Sequence, residues 1–312
     1  MNRTTKFAIA ILSRMFKTLC HLRGIFGTYI QMKDILHIPI RFASLAPILL
    51  ALQISAQSAA PITVEDILSH LPTVPFHEDG PQRYVFTCDY LNFDLAGNPT
   101  GKERVSGDYT RGLPDGKVQW ANVRIAQAAN FDGTFPEGEP QKYMDGFSYN
   151  PSTASLFKND FFAGFPDRMQ TKTLVWDVCM FEQFARKYFD RLKLNEPYET
   201  GPSDIALPGG KFFNRRPRLT WVGVSKMNGK MCAIIQYEAF FNKLGLQNKG
   251  QDLNGRSDYW GTIWVSLADK QIEKGTLNEG VLLGVAIPGQ PGTQAVAIFR
   301  QATLERKGIE PR

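Results

Sequence analysis

Apolar and polar positions alternate with period two over residues 84–91, where Tyr84, Phe86, Cys88 and Tyr90 are separated by Val85, Thr87 and Asp89, a pattern that predicts a strand. Residues 103–111 and 117–128 are extended runs flanking Leu113-Pro114-Asp115-Gly116, a turn sequence that makes them a hairpin. Asn228-Gly229 predicts another hairpin, because a two-residue type I′ turn needs positive φ at both central positions. If Met227 opposes Lys230, then Val224 faces Ala233, Val222 faces Ile235 and Thr220 faces Tyr237, which gives one apolar face. Leu219 and Trp221 then fall on the opposite, mixed face. A strand follows over residues 258–267, Ala268-Asp269-Lys270 turns into a run over 271–278, and two more strands follow over 281–287 and 295–304, separated by residues 288–292.

The period changes to that of a helix over residues 173–192. Leu174, Val178, Phe181, Ala185, Tyr188 and Leu192 form one stripe, and Asp177, Glu182, Arg186, Lys187, Asp190 and Arg191 occupy the rest. A short helix is predicted from the N-cap Thr63 to about Leu71, ended by Pro72. Residues 131–166 are rich in Gly, Pro and aromatics without a period, and read as loop with short helical turns near 155–162. Strand following strand without helices between implies an α+β fold. Its expected form is an antiparallel, strongly curved sheet or half-open β-barrel with the long helix packed on the concave face.

Residues 43–54 are apolar and uncharged, with Lys33 and Arg41 before them and a small, polar run at 55–60 after them. That is the order of a cleaved signal peptide, and the stretch is too short to span a bilayer. Cleavage after Ser58 would leave residues 59–312 as a single α+β domain in an extracytoplasmic space, periplasmic or secreted, with no transmembrane anchor. The long stretch before Met32 suggests that translation starts at Met32, with a long unstructured leader or an organelle-targeting peptide as alternatives. The leader also explains the net charge of +6, because it holds seven of the 36 basic residues and one of the 30 acidic ones. The remainder is formally neutral, which removes the motive for a nucleic-acid partner. Lys211, Arg215, Arg216 and Arg218 read as a solvated loop before a strand.

Cys88, Cys179 and Cys232 survive cleavage; Cys179 lies on the apolar face of the helix, and Cys88 and Cys232 can pair only if their strands are neighbours. His77-Glu78-Asp79 reads as a solvated turn rather than a metal site, and no HExxH or CxxC spacing, GxSxG elbow, phosphate loop or GxGxxG is present. No cofactor or metal is expected. A pair of carboxylates brought together in space leaves no compulsory spacing, so a secreted hydrolase of that kind stays open, as does an envelope interaction scaffold. The leading expectation is a non-catalytic binding protein for a lipid or other hydrophobic ligand. Its candidate ligand-binding residues are Val222, Val224, Ile235, Tyr237, Phe181 and Phe184, taken from the hairpin register and the helix stripe. Phe157, Phe161, Phe162 and Phe165 are candidates for an aromatic lid beside the helix, with completion of the core as the alternative.

Three elements together resemble the outer-membrane lipoprotein-carrier (LolA/LppX-like) superfamily. They are Thr63-Val64-Glu65-Asp66-Ile67-Leu68, the antiparallel meander, and the strand Tyr259-Trp260-Gly261-Thr262-Ile263-Trp264-Val265-Ser266 with Asp269-Lys270-Gln271-Ile272. The resemblance implies an unclosed β-barrel with helices plugging its concave side, holding acyl chains without catalysis.

Overall fold

Four strands of 14 to 19 residues, far longer than most, carry the C-terminal half of the sheet: β10 (Lys230–Asn248), β11 (Gln251–Ser266), β12 (Ile272–Ala286) and β13 (Thr293–Arg306). In this computed structural model the described residues are 71, 74–94, 96–152, 156, 160–166, 168–207, 210–248, 251–286 and 293–308. They belong to the compact unit spanning residues 60–312. The leader, its cleavage site, Phe157 and the helix predicted after Thr63, except Leu71, lie outside the described residues.

The N-terminal half contributes β1 (Gln82–Asp94), β2 (Pro99–Arg111), β3 (Val118–Gln127) and the two-residue strands β4 (Glu139–Pro140) and β5 (Ser148–Tyr149). The long helix α1 (Met169–Arg186) follows, continued by a 3₁₀ turn over Phe189–Arg191. Next come β6 (Pro197–Glu199), β7 (Ser203–Leu207), β8 (Gly210–Asn214) and β9 (Arg218–Met227). All are antiparallel members of one sheet, ordered β4-β3-β2-β1-β13-β12-β11-β10-β8-β7, which is not closed into a barrel. β1 therefore closes onto β13, a pairing of the two ends of the described chain that no local pattern announces. The basic cluster splits: Lys211 lies within β8, Arg218 opens β9, and only Arg215 and Arg216 are in the connection.

The helix stripe packs on one face of this sheet. Phe181 and Phe184 meet Tyr237 of β10 with ring centroids at 6.3 and 5.2 Å, and Tyr109 of β2 donates a 2.8 Å hydrogen bond to Glu182. Towards the N-terminal strands the core is aromatic, with Tyr109 and Phe86 packed on Trp120 at 5.0 and 6.1 Å. Phe161, Phe162 and Phe165 pack against the core together with Tyr149 and Trp176, so they complete it.

The register predicted for the Asn228-Gly229 hairpin holds from Met227↔Lys230 to Gly223↔Ile234 and then fails. A β-bulge makes Val222 an extra residue, with Gly223 at φ +151°, so Ile235 faces Trp221 and Tyr237 faces Leu219. A one-residue slip exchanges the two faces of a strand. Trp221 and Leu219 are consequently fully buried, and Val222 is only half-buried.

Cys88 and Cys232 are on strands that are not neighbours, and Cys88, Cys179 and Cys232 are all free and buried. Burial pushes the thiols of Cys88 and Cys232 up to about 12 and that of Cys179 to about 11. A thiol reacts as its thiolate. All three are therefore expected to resist iodoacetamide at pH 8 in the native protein and to alkylate fully in 6 M guanidinium, as counted by intact mass.

Candidate functional site

Of the six residues expected to line a ligand site, Phe181, Phe184, Ile235 and Tyr237 come together beneath the helix, and all four are buried at 6% exposure or less. They fill the core there. Val224 packs at its edge, and Val222 is diverted by the bulge. Two ionic clusters flank this packed region on the same inner face.

The first joins α1 to β12 and β13. Arg300 Nη2 donates to Asp177 Oδ1 at 2.9 Å, and its Nε stands 2.8 Å from Glu279 Oε2. Ser257 donates to Glu279 at 2.6 Å, and the Arg300 guanidinium lies 5.4 Å from the Tyr90 ring centre. Asp177 Oδ2 has no hydrogen-bond partner among the described residues. Burial lifts the Asp177 carboxyl to about 6 against the pull of Arg300, and the charge of Glu279 adds to the rise. Two carboxylates thus converge, yet both are ion-paired to one guanidinium and all three side chains are 14% exposed or less. A glycosidase pair needs its substrate between the two acids. This cluster ties the helix to the sheet.

The second cluster changes the reading of His77-Glu78-Asp79. Arg111 bridges Glu78 and Glu182, while Phe76 lies under the guanidiniums of Arg186 at 3.9 Å and Arg111 at 5.0 Å. The Gln271 amide donates to the His77 carbonyl at 2.6 Å. Glu78 is therefore a docking residue of the segment before β1 rather than part of a solvated turn. Burial alone would raise Glu182, but Arg186, Arg111 and the Tyr109 hydroxyl outweigh it and hold the carboxyl below its usual range.

The open surface is on the other face of the sheet. There β10 bulges between Ala239 and Asn242, changes partner from β9 to β8, and leaves Phe240 and Phe241 at 40% and 53% exposure. Phe241 has φ +62°, a strained conformation for an aromatic residue. Asp258 holds it by accepting the Phe241 N–H and by pairing with Arg256, whose guanidinium lies 4.1 Å from the Phe241 ring centre.

Beside this rim runs a groove of about 320 Å³ with Phe93 and Phe299 along one side, Leu282 and Arg256 along the other, and Gly280 and Ala297 between them. A Cβ added at Gly280 would meet nothing within 4 Å, so the missing side chain is what opens the floor. Leu282 is 51% exposed. Sequence reasoning passed over these residues because the groove is assembled across β1, β13, β12 and β11. The signal that was available is Val281-Leu282-Leu283, where Leu282 breaks the polar succession of Thr276 and Asn278 on its face.

Among the described residues no cluster of His, Cys, Asp or Glu is arranged to hold a metal ion, and no helix is long and apolar enough to cross a membrane. No protein-family model matches the chain and no curated protein matches it.

Proposed function

We infer that the protein is a non-catalytic binding protein for a lipid or other apolar ligand, working in a periplasmic or secreted setting, and that an apolar chain is held in the glycine-floored groove. The observation that carries this reading is the groove itself. Aromatic and aliphatic side chains line it, and a charge-balanced Arg256–Asp258 pair sits at its rim. A groove of about 320 Å³ with so apolar a lining suits an alkyl chain. The sequence-derived pocket of Phe181, Phe184, Ile235 and Tyr237 would need the helix to move before it admitted anything.

The same reading takes the sheet as strongly curved, with α1 on its concave side, like the half-open barrel of the lipoprotein carriers. Support comes from the reach of the helix. Adjacent residues Phe181 and Glu182 touch β10 and β2, which lie five strand spacings apart in the sheet order. On a flat sheet that is about 24 Å, wider than a helix of roughly 10–12 Å diameter.

Filling the groove tests the function. Gly280→Val puts a strand-favouring side chain into open space, so stability is expected to change by less than about 0.5 kcal/mol. Dodecanoate binding, followed by tryptophan fluorescence, is expected to weaken at least tenfold. Wild-type protein that neither binds dodecanoate nor carries lipid in native mass spectrometry would overturn the reading.

A further inference from the structure

We propose that the same outer sheet face carries a second, separate site, for a linear neutral polysaccharide lying across the strands. The register assembles it. Thr220, Gln236, Thr262, Thr276 and Thr303 are successive cross-strand partners from β9 to β13, and Thr87 of β1 continues the row. Five of the six lie between two buried neighbours and Thr262 lies between Gly261 and the buried Ile263, so all project from the face away from the helix. Neighbouring strands are about 4.8 Å apart, a spacing close to the length of one pyranose unit along a glycan chain. A row of hydroxyls and one amide at that interval offers hydrogen-bonding groups at the spacing of successive sugars, although the Thr276 hydroxyl already accepts from the Thr262 N–H and donates to the Thr262 carbonyl.

Two residues further along the strands a second row runs parallel, with Glu238, Trp260, Asn278 and Gln301 paired in the same way. Between the rows, from β9 to β12, lies a groove of about 410 Å³ with Arg218 and Pro197 in its lining. Trp260, between Glu238 and Asn278 in this row, is 40% exposed, with Phe240 and Phe299 ring centroids at 6.5 and 6.3 Å.

The chemistry of the lining selects the ligand. Arg218 is ion-paired with Glu238, so the groove has no spare charge for a phosphate or carboxylate. Its amides and hydroxyls make it too polar for an alkyl chain. No described residue engages the Gln236 amide or the Thr262 hydroxyl. A neutral polyol with apolar C–H faces answers both demands, since its hydroxyls meet the threonine row and its C–H face meets the indole. The apolar groove begins beyond Asn278, at Gly280, so the two sites adjoin without sharing their defining side chains.

The test titrates the purified protein with cellohexaose, laminarihexaose, mannohexaose and xylohexaose by calorimetry. At least one is expected to bind, with affinity unchanged between 0.05 and 0.5 M NaCl because the sugar is uncharged and the Arg218–Glu238 pair leaves the groove balanced. Trp260→Ala is expected to weaken binding at least tenfold. The double variant Thr262→Val/Thr303→Val keeps shape and strand preference while removing two hydroxyls, and should weaken it severalfold. Gly280→Val should leave it unchanged. Absence of binding to all four hexaoses, or binding that survives both the Trp260 and the threonine variants, overturns the proposal. Loss in Gly280→Val alone would assign the sugar to the apolar groove and overturn it equally.

Discussion

Arg300→Met is expected to lower the unfolding free energy by roughly 3–5 kcal/mol, the cost of leaving buried carboxylates without their partner. Asp177 and Glu279 reach Arg300 from different elements, and both are enclosed by Tyr90, Ser257 and α1. Losing the guanidinium strands two like charges in a region of low polarity. The loss should be partly recovered in the triple variant Arg300→Met/Asp177→Asn/Glu279→Gln, which removes the charges as well. Urea denaturation of the three proteins measures both effects. A loss below about 1 kcal/mol for Arg300→Met would show that water reaches the cluster.

The same cluster gives a pH signature. Asp177 titrates at about 6 in the folded protein against 3.8 when unperturbed, so the folded state holds a proton that the unfolded chain has already released. Its contribution to stability is full below about 3.8 and is lost as pH rises through about 6. Asp108, Asp258 and Asp269 act oppositely. Burial would raise each of them, but ion pairs and hydrogen bonds hold all three below the usual carboxylate range, so their contribution is lost as pH falls. Comparing wild type with Asp177→Asn isolates the first effect: the stability difference between them should change across pH 4–6.5 and stay flat above it. Equal slopes in the two proteins would refute the assignment.

Gly261→Ala is expected to cost about 3 kcal/mol or more, despite being the smallest change available. A Cβ at Gly261 would overlap the Thr276 carbonyl oxygen of the neighbouring strand and stand 2.5 Å from the Tyr237 hydroxyl, which itself donates to that carbonyl at 2.7 Å. No rotamer relieves contact with backbone, so β11 and β12 must separate where they pair along their whole length. Gly280 is one strand away with empty space above it, and is the control. Thermal unfolding should show a large drop in Tm for Gly261→Ala and almost none for Gly280→Ala. Equal, small shifts would mean that the Tyr237–Thr276 contact is not formed in solution.

Much of the fold could be read locally. The alternation at Tyr84–Tyr90, the Pro-Asp-Gly turn before Lys117, the stripe from Leu174 to Ala185 and the Asn228-Gly229 turn all became the elements they predict, since each depends on neighbours within a few residues. The helix begins earlier than the stripe, at Met169, and ends at Arg186 because the last part tightens into a 3₁₀ turn. Where the reading failed, one residue was enough. Val222 and Trp221 exchanged places because Gly223 adopts φ +151°, a choice that glycine permits and that the partner strand decides.

The sites lay further from reach. Gly280 and Leu282 in β12, Phe299 in β13 and Phe93 in β1 become neighbours only after β1 closes against β13, and the row from Thr220 to Thr87 exists only when six strands are in register. The sequence by itself determined where most of the long strands and the long helix form and, except beyond the bulge in β9, which side of each is apolar, because those properties follow from periods of two and 3.6 residues. Only the tertiary structure decided that the apolar residues beneath the helix are packed core, that Asp177, Glu279 and Arg300 meet, and that the open grooves lie on the opposite face. Strand order and register are set by contacts between residues far apart in the chain, and a local pattern carries no record of them.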